Sequence, residues 1–150
     1  MADSTPGEPV ELLLVEDNPG DVRLTQEAFK STDKNVRFHV VTDGAEAAHY
    51  MHRSQRGEVD SQLDLILLDL NLPRLDGLTV LEALDEELEH PPPPVLVLSS
   101  SDAEEDIVKS YEKNANAYLT KPTGPIEFDS MAQAIEDFWI ETARHPPAPA

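Results

Sequence analysis

Three carboxylates stand at the ends of apolar runs. VELLLVED delivers Glu16 and Asp17, and LDLILLDL delivers Asp69. An ionised side chain left unpaired in an apolar interior is expensive, so each acid needs water, a partner or a metal where it emerges. Gathered in one crevice, the three would repel one another and push at least one pKa upward. A hard divalent cation removes that conflict. Mg2+ suits the set, because it takes few carboxylates, keeps several waters and leaves room for phosphate oxygens. Ser99, in PVLVLSSS, and Lys121, in NAYLTKP, add a hydroxyl and an ammonium. Beside a metal-bound carboxylate these are groups for handling a phosphoryl. Asp69 is then the nucleophile and forms an aspartyl-phosphate. The metal and Lys121 neutralise the transferring oxygens, and Ser99 donates a hydrogen bond to one of them. Taken singly, each residue has a plainer reading. VEDN and LDLN pass for turns and helix caps, Ser99 for a loop serine, and Lys121 for a solvated lysine. A shared location is what makes them a site.

The elements must supply that location. Val10 to Asp17, Leu63 to Leu70 and Pro94 to Ser101 are apolar on both faces, as central parallel strands are. NVRFHVVT alternates, with Val36, Phe38 and Val40 opposite Arg37 and His39, and suits an edge strand. Asn116 to Thr120 is a short fifth. Helical stripes lie between them: Leu78, Leu81, Leu84 and Leu88; Ile107, Val108, Tyr111 and Ala115; Phe128, Met131, Ile135 and Phe138. Pro19 to Ser31 and Gly44 to Gln55 are weaker helical patterns. Strand and helix alternate five times, which predicts an α/β fold: a doubly wound, five-stranded parallel sheet of flavodoxin-like order 2-1-3-4-5. Ligands then bind outside the carboxyl ends of strands 1 and 3, where the order reverses. Glu16, Asp17 and Asp69 all fall there, with Ser99 and Lys121 on the same sheet edge.

The 150 residues suit one domain over 10–140, with a disordered segment 1–9 and a flexible Pro-rich tail 141–150. Cysteine is absent, so thiolate metal sites and disulfides are excluded. The amino terminus has no basic region before an apolar one, and no apolar run approaches ~20 residues, so a soluble cytoplasmic protein away from membranes is expected. Thirty acidic residues against 11 basic ones give a net charge of −19. That argues against nucleic acid as a partner, because phosphate contacts need clustered Lys and Arg. It also suits a salt-rich cytoplasm, where a Debye length of ~3 Å at ~1 M screens the self-repulsion.

Over roughly Val10 to Ile140 the chain resembles the receiver domains of response regulators in two-component signalling. The resemblance rests on Glu16 and Asp17, LLDLNLPRLDG around Asp69, VLVLSS at Ser99 and AYLTKP at Lys121. It implies phosphorylation of Asp69 by the phosphohistidine of a sensor histidine kinase. It also implies Mg2+ held by Asp17, Asp69 and the main-chain carbonyl of Asn71, with Glu16 helping through water. Ser99 would swing toward the phosphate and Tyr118 would be the aromatic switch residue. Serine at 99 stands where threonine is commoner. Asn71 and Ser101 would line the path of hydrolytic water. DLNLP, FWIET and the absence of an output domain resemble, more narrowly, the small stand-alone regulators paired with phytochrome-like histidine kinases. Output would then be by protein contact with a downstream partner, and the only chemistry would be self-phosphorylation and self-dephosphorylation.

Two rival functions use the same residues. A phosphohydrolase of the haloacid dehalogenase type needs a second acid two residues past the nucleophile, and Asn71 stands there. A pseudo-receiver, docking without phosphorylation, would be expected to lack one of the acids, the hydroxyl or the lysine. Neither G-x-G-x-x-G nor a P-loop is present. His49 and His52 read as solvated helix residues. Trp139, set beside the stripe of Met131, Ile135 and Phe138, is expected to point aside. Either it packs over the rim of its own domain or, the favoured reading, it anchors a homodimer through this helix and the adjoining sheet edge.

Overall fold

Each apolar run becomes a strand, with Asp69 as the buried last residue of one and Glu16 buried just past the end of another. In the computed structural model the described residues are 10–32, 35–55, 63–70, 72, 77–87, 93–100, 104–113 and 115–142. The strands are β1 Val10–Val15, β2 Val36–Val41, β3 Leu65–Asp69, β4 Val95–Ser99 and β5 Ala117–Thr120. Every residue of β3 and β4 is buried, as the two-sided apolar pattern requires. The strands pair in parallel in the order β2-β1-β3-β4-β5. This is the expected doubly wound sheet, with the alternating β2 at one edge.

The helices are α1 Pro19–Lys30, α2 Gly44–Gln55, α3 Gly77–Glu87, α4 Glu104–Glu112 and α5 Pro125–Ile135. Asn18 caps α1 by accepting from the Asp21 amide at 3.1 Å, with Pro19 in the first turn where its missing N–H costs nothing. Asp43 caps α2 through the Glu46 amide at 2.8 Å. One core layer gathers Leu13, Val15, Ile66, Leu68, Val80 and Leu81 under α2 and α3. The other gathers Leu12, Leu14, Phe29, Phe128 and Ile135 under α1 and α5. Successive strand residues serve opposite layers, so β1 contributes to both.

Three expected helix faces are corrected. On α3, Val80 is buried beside Leu81 while Leu78 is only partly so; the Leu84 side chain and Leu88 lie outside the described residues. On α4, Val108 is 53% and Tyr111 48% exposed, and the residue turned inward is Ser110. The Ser110 hydroxyl donates to the Asp106 carbonyl at 2.8 Å, so a small polar side chain sits inside without an unmet hydrogen bond. At the carboxyl end, Trp139 packs on the core and Phe138 is 54% exposed, the reverse of the expected arrangement. Phe128, Ala132, Ile135 and Trp139 share the true inward line at spacings of four, three and four. The small Ala132 made that line hard to see. The helix continues beyond Ile135 as π turns, Glu136–Thr142. Residues 1–9 and 143–150 lie outside the described residues.

Candidate functional site

Register brings the site together. Val15 pairs with Leu68, Asp69 with Leu98 and Ser99 with Thr120, so the chain after each strand opens on one sheet edge. The Lys121 amide donates to the Ser99 carbonyl at 2.8 Å and fixes the lysine beside β4. Glu16 and Asp69 are each 2% exposed and Ser99 1%, whereas Asp17 is open to solvent. One carboxylate oxygen from each of Glu16, Asp17 and Asp69 lies within 4.8 Å of the other two. An all-oxygen set of this kind fits a hard divalent ion.

Lys121 reaches into the cluster. Its ammonium lies 2.8 Å from Glu16 Oε1, 2.9 Å from Asp69 Oδ2 and 2.9 Å from Asp21 Oδ2. Burial pushes the Glu16 carboxyl up, Lys121 pulls it down and the Asp69 charge pushes it up again, leaving it at about 7. For Lys121, burial alone would lower the pKa; the three carboxylates more than offset that and hold it above the ordinary lysine value. The site is short of positive charge, and a divalent ion at the three acids would make up the difference.

Of the residues singled out in the sequence, Glu16, Asp17, Asp69, Ser99 and Lys121 converge here. Tyr118, one strand outward on β5, is half-buried against the core layer under α2 and α3. Asn71 and Ser101 lie outside the described residues. His49 and His52 are exposed on α2. Two residues were missed. Asp21 looks like an acid complementing the first turn of α1, and nothing in its spacing announces a contact with Lys121. Gly77 lies against the segment leaving β3: a Cβ there would stand 2.3 Å from Leu70 Cα, and its amide donates to the Leu70 carbonyl at 2.9 Å. The final glycine of PRLDG was its signal.

A parallel sheet with acids, hydroxyl and lysine at its switch point defines the phosphoacceptor receivers of signalling proteins. The chain belongs to the response regulator receiver domain family, which it matches over residues 12–135. It is 39% identical to response regulator Rcp1 of Synechocystis sp. over 93% of this chain and 95% of that one. It is 32% identical to the probable methanogenesis regulatory protein FilR2 of Methanothrix harundinacea, over 93% and 89% of the two. Among solved structures it resembles the phosphorylated cyanobacterial phytochrome response regulator RcpA, at TM-score 0.82 and 38% identity, covering 93% of this chain and 100% of that one. The Mn2+-bound form of Rcp1 is similar at TM-score 0.76 and 38% identity, with the same coverage. The chain is therefore a receiver domain of a two-component system, a class that works with a histidine kinase. No helix among the described residues is long and apolar enough to cross a membrane.

Proposed function

We propose that Asp69 accepts a phosphoryl group from the phosphohistidine of a sensor histidine kinase and that Mg2+ is required. The observation that carries this is Lys121 Nζ at 2.9 Å from Asp69 Oδ2, inside a cluster of acids suited to a divalent ion. An Asp69 oxygen attacks phosphorus and the phosphorus–nitrogen bond breaks. The electron pair stays on the imidazole nitrogen, and the product is an acyl phosphate. Glu16, Asp17 and Asp69 would hold the ion with the Asn71 carbonyl, and when bound it neutralises charge on the transferring oxygens. Lys121 moves from carboxylate to phosphoryl oxygen. Ser99, buried at the end of β4, supplies a hydroxyl for another phosphoryl oxygen and passes the change toward Tyr118. Self-phosphorylation from small phosphodonors and self-dephosphorylation complete the chemistry.

A Mn2+-bound form of Rcp1 and a phosphorylated RcpA support this reading. A docking module that works without phosphorylation is not favoured, since both buried acids, the serine and the lysine are in place. In a cytoplasmic setting, output passes to a downstream protein. Within the same reading, pairing with a second copy of the chain would run over exposed Phe138, because Trp139 is taken up by its own core. Incubation with acetyl phosphate and Mg2+, followed by intact mass and Phos-tag mobility, tests the proposal. One phosphoryl is expected on the parent, and none on Asp69→Asn or in EDTA. An adduct that persists in Asp69→Asn, or forms equally in EDTA, overturns it.

A further inference from the structure

Asp21 is the part of this site that the phosphoacceptor chemistry leaves unused. Its carboxylate is 27% exposed, at the first turn of α1, and Oδ2 lies 2.9 Å from Lys121 Nζ. An ammonium has three hydrogens to donate. Here three carboxylates, Glu16, Asp21 and Asp69, lie within hydrogen-bonding distance of it. Asp21 is also well anchored. Its amide donates to Asn18 Oδ1 at 3.1 Å, its carbonyl accepts from the Thr25 hydroxyl at 2.8 Å, and the Asn18 amide donates to Glu16 Oε2 at 3.1 Å. The cap of α1 thus ties Asp21 to Glu16 through Asn18, and both acids hold the same lysine.

We infer that Asp21 is a positioning residue that competes with the phosphoryl group for Lys121. The inference rests on Asp69 being the phosphoacceptor. A phosphoryl oxygen arriving on Asp69 needs a hydrogen of Lys121, and Asp21 Oδ2, 2.9 Å from the same ammonium, competes for one. Its negative charge also repels the incoming anion while adding to the field that attracts a cation. Removing that charge has opposite consequences for the two ligands. An anionic phosphoryl mimic gains, and a divalent metal loses.

The test compares the parent with Asp21→Asn and Asp21→Glu. Mg2+ affinity is measured by calorimetry, and beryllofluoride affinity by titration at saturating Mg2+. Asparagine keeps an oxygen to accept from Lys121 but carries no charge. Asp21→Asn should bind Mg2+ more weakly and beryllofluoride more tightly, each by about three- to tenfold, the effect of one unit charge a few ångströms away when screened nearly as in water. Asp21→Glu should return both constants toward the parent. A disturbance of the fold would weaken both ligands together. Shifts in the same direction, or parent-like constants in Asp21→Asn, overturn the inference while leaving the phosphoacceptor reading intact. A parent that binds no beryllofluoride overturns that reading, and this inference with it.

Discussion

Strand β1 has a buried glutamate at each extremity: Glu11 in its second position and Glu16 just past its last. They are 6% and 2% exposed. Glu11 receives His39 Nε2 at 2.6 Å and lies 3.4 Å from Arg37 Nη1, both from the neighbouring strand β2. Its backbone amide donates to Asp64 Oδ2 at 2.9 Å. Glu16 sits instead with Asp21 and Asp69 around Lys121, with Asp17 beside the two buried acids. One acid draws on two basic side chains, whereas three acids share one ammonium and a fourth, Asp17, adjoins two of them. Burial by itself therefore does not distinguish a functional carboxylate from a structural one. The balance of charge around it does: a neutralised acid holds two strands together, and an under-neutralised cluster has a use for a cation.

The comparison breaks most readily at Glu11. Replacing it by alanine leaves the half-buried His39 without its 2.6 Å partner while Arg37 stays in water, a loss of about 1–3 kcal/mol. Urea unfolding of Glu11→Ala should show that loss with Mg2+ affinity unchanged. A parent-like midpoint would mean that the pair is not a support at all.

The second expected effect is in pH. The Glu16 carboxyl stands at about 7 in the folded chain against an ordinary value of 4.5. Between those values the folded chain keeps a proton that the unfolded chain has released. The stabilisation from this group is complete below the lower value, declines through the window and is gone above the upper one. Without metal, unfolding free energy should therefore fall from pH 4.5 to pH 7 by on the order of 2–3 kcal/mol on this account. Glu16→Gln should flatten that slope, and an unchanged slope would place the retained proton on another group.

The smallest effect is that of the metal. Mg2+ at ten to a hundred times Kd should stabilise the fold by about 1.4–2.7 kcal/mol. At fixed ionic strength Asp17→Asn should lose most of that gain and Glu11→Gln none of it. Equal responses would dissolve the distinction between the two ends of β1.

Most of the site was legible because strands announce themselves by composition and end on residues that cannot be buried alone. LILLD is apolar on both faces, so β3 had to be central and Asp69 had to emerge at its carboxyl edge. Asp21 was not legible, because its contact with Lys121 joins residues 100 apart through helix direction, which spacing does not encode. Ser110 was overlooked and Trp139 misjudged for a different reason. A hydroxyl that bonds its own helix behaves as a small apolar group, and an alanine can complete a stripe that larger residues appear to define. Gly77 was visible as a letter, but its purpose is visible only against Leu70.

On α4 the outward-facing Tyr111 does something for the sheet. Its hydroxyl accepts the backbone amide of Tyr118 at 3.2 Å, on the outermost strand β5. An open strand edge is a template on which another chain can add, and proteins blunt such edges by covering them. Here a single phenol occupies one rung of that template. Tyr111 thus takes one edge donor out of reach of a foreign strand, in a chain whose interior is built from runs as apolar as LLLV and VLVL.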